Sequence, residues 1–252
     1  MRFLFILLQC AVLSVFTLSA QTRPGAVSRS AVLVDGETGT VLYSKNPDDE
    51  IPPASLAKLM TMHIALSETA AGRASLDETV AVTPESWARN QPAGSSLMFL
   101  APGQTVSLRV ILLGLAVSSG NDAAAAAALH FAPTVRDFAG MMNMEARRMG
   151  LIKTRFVEPS GISEDNVTTA GEFVLFCREY IRLHPEALAE FHSVPEFAYP
   201  LASNAGAAFR DKPGTIVQQN RNTLLKTFPG VDGLKTGYID ESGYNIALTA
   251  ER

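Results

Sequence analysis

Strand-like sequence is confined to the two ends of this chain, and that arrangement limits the folds it can adopt. Apolar runs at residues 31–34 and 40–43 flank a glycine-containing turn, which predicts a β-hairpin. Helical periodicity dominates residues 67–183, residues 184–220 carry little pattern, and strand signals return over residues 231–249. We predict an α/β (α+β) fold in which a mainly helical subdomain, at about 67–183, is inserted between two parts of one antiparallel sheet.

The composition restricts the class of protein. The 252 residues are 47% hydrophobic and 18% charged, with a formal net charge of −4, as expected of a globular protein with a sizeable core. No basic cluster indicates a nucleic-acid partner, and no later apolar run is long enough to span a bilayer. The four histidines are scattered without metal-ligand spacing, so we assign them no role.

The first 20 residues differ from the rest of the chain. Arg2 precedes the apolar run from Phe3 to Phe16, and small residues precede a cleavage point at Gln21. This pattern predicts a secretory signal peptide over residues 1–20; the alternative is a buried N-terminal helix. We therefore expect an exported protein, in the periplasm or on the outer face of the cytoplasmic membrane.

Three short polar motifs lie in order along the chain: Ser55-Leu56-Ala57-Lys58, Ser119-Gly120-Asn121 and Lys235-Thr236-Gly237. About one Ser-x-x-Lys is expected by chance in a chain of this length, whereas only about 0.1 Lys-Thr-Gly is expected. The information lies in three matches in this order at domain-scale separations. Class A β-lactamases and penicillin-binding proteins carry such a set, with Asp at the middle position of the second motif.

The first motif can supply an activated nucleophile. On a helix Ser55 and Lys58 share a face, so the amine can approach the weakly nucleophilic hydroxyl. Lysine becomes a useful base when burial or a second cation, such as Lys235, lowers its pKa. A helix N-terminus at Ser55 also favours a developing oxyanion. Taken alone, the motif fits better a capping serine and a solvent-facing lysine.

The other two motifs can relay protons and bind substrate. Ser119 can pass a proton and Asn121 can hold a substrate carbonyl, although these residues also suit a helix-capping loop. Lys235 and Thr236 suit recognition of a carboxylate, and Gly237 lets a ligand backbone lie close to a strand. A plain β-turn is the alternative for the third motif. Together the motifs predict one acyl-transfer site.

The chain resembles the low-molecular-mass penicillin-binding proteins, the serine-type D-alanyl-D-alanine carboxypeptidase family. Besides the three motifs, the similarity covers the hairpin at 32–43, the loop at 94–100, Asn220-Arg221-Asn222 and the segment 231–245. It extends over about 27–252 and is weakest over 184–219. The resemblance implies that residues 21–252 form a transpeptidase-like catalytic domain of the serine β-lactamase and D,D-peptidase fold, without metal or organic cofactor.

The resemblance also implies a role for each matching residue. Ser55 would be the acylated nucleophile, Lys58 its general base and Ser119 the group that passes the proton to the leaving amine. The substrate-binding positions would be Asn121, Lys235, Thr236, Gly237, Tyr238 and, in support of the carboxylate site, Arg221. The implied substrate is a peptidoglycan stem peptide, from which the terminal D-alanine is removed, and β-lactam antibiotics would acylate the same serine.

Two departures from the family pattern shape our expectations. The family's sheet needs another strand and a C-terminal helix that this sequence lacks, so we expect a catalytic domain truncated at its C-terminus. Many relatives also carry a C-terminal amphipathic anchor, which leaves peripheral membrane association through such a region open.

Three other functions stay open at this point. A D,D-endopeptidase acting on peptidoglycan cross-links shares all three motifs. A class A-like β-lactamase is disfavoured by Gly120 and by the lack of a deacylating glutamate motif, because Glu158 and Glu164, the nearest candidates, both fit a plain loop. The third alternative is an inactive fragment or a cell-wall binding module.

Overall fold

The computed structural model describes residues 27–204 and 214–251, so the predicted signal peptide lies outside the described residues. Ten strands are present in this part of the chain: β1 Ala31–Val34, β2 Val41–Lys45, β3 Glu50–Ile51, β4 Thr79–Val80, β5 Val106–Ser107, β6 Thr168–Thr169, β7 Glu196–Tyr199, β8 Ile216–Gln219, β9 Val231–Ile239 and β10 Gly243–Ala250. The six α-helices of the same ranges are α1 Lys58–Ala70, α2 Leu108–Leu113, α3 Asn121–Phe131, α4 Val135–Arg148, α5 Ala170–Leu183 and α6 Leu224–Thr227.

Four of the six described α-helices, α2 to α5, lie between residues 67 and 183, and together with α1 they form the core of the molecule. Helix α1 is buried from Lys58 to Leu66, because α3, α4 and the π-helical turn Gly114–Ser118 all pack against it. The run of six alanines at 123–128 in α3 lets neighbouring helices approach closely. Side-chain N-caps begin α4 and α5, since Thr134 accepts from Asp137 N and Thr169 from Glu172 N. Within the described ranges, no helix is long and apolar enough to cross a bilayer.

The two predicted terminal hairpins are present, but they are separate two-stranded ladders. Strand β1 pairs with β2, and β9 pairs with β10 from Val231↔Ala250 to Ile239↔Gly243. The expectation that they are parts of one sheet is therefore not met within the described residues. Strands pair only when their backbones lie about 4.8 Å apart, and here β1 packs on α5 while β9 packs on the 3₁₀ helix Ala54–Ala57.

The prediction of an irregular segment over 184–220 was wrong in part. A π-helical turn spans Leu188–His192, and β7 pairs antiparallel with β8, with Glu196 opposite Gln219 and Tyr199 opposite Ile216. This pairing joins segments separated by residues 200–215, and local sequence periodicity does not report contacts across such a connection. The segment matters for the site because its π-helical turn packs behind β9.

Candidate active site

The first motif lies where two helical segments meet. The 3₁₀ helix Ala54–Ala57 runs directly into α1, so Ser55 lies on the short segment and Lys58 is the first residue of the α-helix. Ala54 has a left-handed backbone with φ of +51°. Ser55 is half-buried and Lys58 is fully buried beneath it. The nucleophile candidate is therefore reachable from solvent while its candidate base is not.

The Lys58 amine contacts three oxygen atoms. Its Nζ lies 3.0 Å from Ser55 Oγ, 2.8 Å from Asn121 Oδ1 and 2.5 Å from the Ser160 carbonyl oxygen. Ser95 orients the Asn121 amide, because Asn121 Nδ2 donates to Ser95 Oγ at 3.0 Å. A carbonyl or amide oxygen only accepts, so Ser160 and Asn121 take both N–H groups of a neutral lysine. The lone pair then faces the Ser55 hydroxyl.

The environment of Lys58 favours its neutral form. The pKa of Lys58 is lowered to about 7, chiefly by burial and in smaller part by the positive charge of Arg221. The negative charges of Glu158 and Asp122 act in the opposite direction and raise this pKa. A lysine near 7 is half-neutral at physiological pH, which is the range in which a general base works best.

The second motif follows the π-helical turn Gly114–Ser118. Ser119 has a left-handed backbone with φ of +58° and is 2% exposed. Its hydroxyl makes no hydrogen bond to another residue of the described ranges, so it is free to bond a ligand. Asn121 begins α3, where its N–H donates to the Ser96 carbonyl at 2.7 Å. The structure thus brings Asn121 onto Lys58 and leaves Ser119 as an unpaired hydroxyl two residues away.

A buried carboxylate holds the loop that borders the second motif. Asp122 is fully buried and accepts the backbone N–H groups of Met98 at 2.9 Å, Phe99 at 2.8 Å and Leu100 at 2.9 Å. Burial raises the pKa of Asp122, and the hydrogen bonds from these N–H groups oppose that rise. This anchor places Ser95 and Ser96 beside Asn121.

The third motif lies on β9, alongside the nucleophile. Lys235 is 2% exposed, and its Nζ donates to the Thr236 carbonyl at 2.9 Å. Burial lowers the pKa of Lys235 well below its usual range, and the charges of Lys58 and Arg221 lower it further. A Cβ on Gly237 would lie 2.8 Å from the Ser55 nitrogen, so only glycine allows this approach of strand to nucleophile.

The remaining predicted positions line the outer part of the site. Thr236 is half-buried and Tyr238 is 53% exposed. The Tyr238 hydroxyl donates to Asp240 Oδ1 at 2.9 Å, and its ring lies 4.7 Å from that of Tyr244. Arg221 is exposed, and its positive charge is the smallest of the influences that lower the pKa values of Lys58 and Lys235, for which burial is the main cause.

A histidine and an asparagine support β9 from behind. His192 is fully buried, with Nδ1 3.1 Å from the Leu234 carbonyl and Nε2 2.8 Å from the Tyr180 hydroxyl. Because a carbonyl only accepts, His192 donates through Nδ1, and its Nε2 accepts a hydrogen bond from the Tyr180 hydroxyl. Burial lowers the pKa of His192 to about 4, so the ring is neutral. Asn222 Nδ2 donates to the Gly233 carbonyl at 3.1 Å.

Sequence reasoning did not predict the supporting role of several residues of the site, although it named Glu158 as a disfavoured deacylating base and Ser95 and Asn222 within segments of family similarity. They share a supporting role around the three motifs and are Ser95, Asp122, Glu158, Ser160, His192 and Asn222. The position of Asp122 next to the second motif was an available signal. No signal marked Ser160, since a backbone carbonyl can come from any residue type. Within the described ranges, no group of three or more His, Cys, Asp or Glu could hold a metal.

Comparison with known proteins places this site in a family. The family model described as D-alanyl-D-alanine carboxypeptidase, Peptidase S11, matches residues 17–252. DacF of Bacillus subtilis, a D-alanyl-D-alanine carboxypeptidase, is 32% identical over 89% of the chain. DacC of Escherichia coli, which has the same description, is 34% identical over 98% of the chain. The chain spans 54% and 58% of the length of these two relatives. A D-alanyl-D-alanine endopeptidase of Pseudomonas aeruginosa is 32% identical over 88% of the chain and 66% of its own length.

Solved structures confirm the predicted fold class. Penicillin-binding protein 5 of Haemophilus influenzae superposes with a TM-score of 0.82 at 32% identity, over 92% of this chain and 63% of that one. Penicillin-binding protein D2 of Listeria monocytogenes, in its ampicillin-bound form, gives a TM-score of 0.74 at 31% identity, over 91% and 87% of the two chains. With the motifs assembled as described above, the chain belongs to the D-alanyl-D-alanine carboxypeptidase family, peptidase family S11.

Proposed function

We propose that this protein is a serine-type D-Ala-D-Ala carboxypeptidase that removes the terminal D-alanine from peptidoglycan stem pentapeptides. The observation that carries the proposal is the geometry of Lys58, whose two acceptor partners leave its lone pair facing the Ser55 hydroxyl at 3.0 Å. Family membership supports the reaction type. A buried amine with a lowered pKa, in contact with a half-buried serine, is the arrangement that nucleophilic acyl transfer requires.

In the proposed reaction, Ser55 Oγ attacks the carbonyl of the penultimate D-alanine while Lys58 takes the hydroxyl proton. The tetrahedral intermediate collapses with cleavage of the C–N bond, and Ser119 passes a proton to the leaving amine of D-alanine. Water then hydrolyses the acyl-enzyme and regenerates Ser55. The backbone N–H groups of Ser55 and Tyr238 would stabilise the oxyanion, a role supported by the close approach of β9 to the Ser55 nitrogen.

Recognition of the substrate falls to the third motif and its neighbours. Lys235 and Thr236 would bind the terminal carboxylate of the stem peptide. The exposed Arg221 would add positive electrostatic potential at the solvent-facing side of the site. Asn121 would hold the substrate amide. A β-lactam carries a reactive amide and a carboxylate, so we expect it to acylate Ser55; the ampicillin-bound form of the Listeria relative supports this. We further propose export directed by residues 1–20 and action in the periplasm.

A D,D-endopeptidase acting on cross-links is the second candidate. It is favoured by the Pseudomonas relative that bears this name, of which the chain covers a larger share than of the two carboxypeptidases. A β-lactamase is disfavoured because Glu158 is engaged by hydrogen bonds from its own loop and Glu164 is exposed.

Intact-mass spectrometry with benzylpenicillin tests the proposal. We expect a one-equivalent adduct that maps to Ser55, lasts many minutes and is lost in Ser55→Ala. An adduct that vanishes within seconds would instead indicate a β-lactamase, and the absence of any adduct would refute the site. Release of D-alanine from a pentapeptide, compared with cleavage of cross-linked dimers, then separates the carboxypeptidase from the endopeptidase.

A further inference from the structure

A short loop, residues 157–163, closes the site behind Lys58, and a single carboxylate organises it. Glu158 is half-buried, and its two oxygens accept hydrogen bonds from five donors of the loop and its neighbour Asn166. Oε2 accepts from Ser160 N at 2.7 Å and Ser160 Oγ at 2.6 Å. Oε1 accepts from Gly161 N at 2.6 Å, Ser163 N at 3.3 Å and Asn166 Nδ2 at 2.7 Å.

The chemistry of these contacts requires a carboxylate. Both oxygens of Glu158 accept N–H donors that cannot reverse their role. An amide NH₂ group would oppose Ser160 N at the Oε2 position, or Gly161 N, Ser163 N and Asn166 Nδ2 at the Oε1 position. A glutamine at this position would therefore break part of the set in either orientation of its amide. Because buried donors left without acceptors are costly, the loop would move.

The same loop packs against α1 and against the 3₁₀ helix Ala54–Ala57, which carries Ser55. Thr61, on α1, donates through Oγ1 to the Pro159 carbonyl at 2.8 Å, and Lys58 donates to the next carbonyl, that of Ser160. Gly161 has φ of +82°, and a Cβ there would overlap the Ala54 carbonyl oxygen and lie 2.9 Å from the Ser55 nitrogen. Movement of the loop is thus transmitted to the base and to the backbone of the nucleophile.

We propose that Glu158 is a positioning residue for acylation: it fixes the Ser160 carbonyl on Lys58 Nζ so that the amine lone pair faces Ser55 Oγ. The inference rests on the proposed function. In this proposal Glu158 contacts neither Ser55 nor a bound substrate. It acts through the backbone of Ser160. A carboxylate that sequence reasoning considered only as a deacylating base therefore has a different use.

The charge of Glu158 adds a second, separable effect. The ionisable groups that face Lys58 are Glu158 and Asp122, which raise its pKa, and Arg221, which lowers it. Lys235 is buried nearby, and its own pKa is lowered by the charge of Lys58. Removing the negative charge of Glu158 therefore extends the pH range in which Lys58 is neutral toward lower pH.

The test is the pH profile of acylation by benzylpenicillin for Glu158→Gln and Glu158→Asp in the whole protein. For E158Q we expect the plateau rate to fall about 10- to 100-fold, because the amine is misoriented. We expect its acidic limb to move to lower pH by up to about one unit, because the negative charge is gone. E158D keeps the charge but has a shorter reach, so its rate should fall while its acidic limb stays in place.

Glu172→Gln is the matched control. Glu172 also holds this part of the chain, accepting from Lys153 N at 2.8 Å and Thr154 Oγ1 at 2.6 Å, but its charge is not among those that shift Lys58. We expect E172Q to keep the wild-type acidic limb and a plateau within about threefold of wild type.

The acylation rate and pH profile of E158Q decide whether the inference stands. A wild-type rate in E158Q, or a loss equal at every pH with an unmoved limb, would overturn the inference. If E158Q does not fold, E158D decides, and a wild-type rate in that variant overturns the inference too. Failure of the wild-type protein itself to form a Ser55 adduct would instead refute the proposed function, and the inference with it.

Discussion

The two sides of the site hold buried lysines in different ways. Lys58, on α1, has oxygen partners from Ser55, Asn121 and the loop at 157–163, whereas Lys235, on β9, donates only to the adjacent Thr236 carbonyl among the described residues. Both side chains are at most 2% exposed, and burial lowers the pKa of both. The two lysine side chains are therefore similarly shielded from water, but they differ in their hydrogen bonds.

This difference separates two kinds of chemistry. An amine whose N–H groups are taken by acceptors presents its lone pair, which suits a base. A buried amine with unused N–H donors offers them to a ligand, and a bound carboxylate favours the protonated form of that amine. The support differs in the same way: Glu158 and Ser95 orient the partners of Lys58, while His192 and Asn222 hold the backbone of β9 beside Lys235. Four experiments test this difference between the two lysines and their surroundings.

The largest effect is expected from Lys58→Met compared with Lys235→Met. K58M should reduce acylation about 1,000-fold on any substrate, because the general base is lost. K235M should cost about 10- to 100-fold on a substrate with a free terminal carboxylate, because a charge-assisted contact is lost. Rates measured with a carboxylate substrate and its methyl ester separate the two. An equal loss for K235M on both substrates would show that Lys235 does not read the carboxylate.

The next effect concerns the close approach of the loop to Ala54. Gly161→Ala should destabilise the fold by more than about 3 kcal/mol and reduce acylation, because the added Cβ overlaps the Ala54 carbonyl and the backbone is left-handed. Gly150→Ala is the control: its φ is also positive, at +77°, but no atom lies within 4 Å of the new Cβ. That variant should cost only about 1–2 kcal/mol. Urea unfolding curves that give equal losses would contradict the steric argument.

Support of β9 by a neutral histidine predicts sensitivity to acid. The pKa of His192 is lowered from 6.5 to about 4, so the unfolded chain binds more protons between these values. Stability is therefore complete above pH 6.5 and is lost as the pH falls toward 4, by about 3 kcal/mol from this residue. His192→Gln should flatten that part of the unfolding free energy against pH. An unchanged slope would show that His192 is not kept neutral by the fold.

The smallest effect is expected at the exposed Arg221. Because its charge lowers the pKa of Lys58, Arg221→Gln should move the acidic limb of acylation to higher pH, by about 0.3 unit at low salt and less at high salt. This direction is opposite to that expected for E158Q. Stopped-flow acylation at two ionic strengths measures it, and an unmoved acidic limb at low salt would place Arg221 outside the electrostatic field of Lys58.

Short-range sequence patterns were enough to predict the two terminal hairpins and the main helices. The hairpins at the two ends follow from β-branched and apolar runs around turns, and the helices follow from their periodicity. The β7–β8 hairpin was missed because each of its strands is only four residues long and they pair across residues 200–215. The order of the three motifs was enough to bring Ser55, Lys58, Asn121 and Lys235 into one hypothesis, since each contributes a side chain with distinctive chemistry.

The amino-acid sequence alone therefore identified the reacting groups and the family to which the chain belongs. How the pKa values and orientations of those groups are set depends on the three-dimensional fold. Three groups tune the site through backbone contacts and burial: the Ser160 carbonyl, the Glu158 carboxylate behind it and the neutral His192 under β9. These contacts form only when segments from distant parts of the chain fold together. A lysine becomes a base here because the fold removes water and supplies two acceptors, and neither condition is written in any single motif.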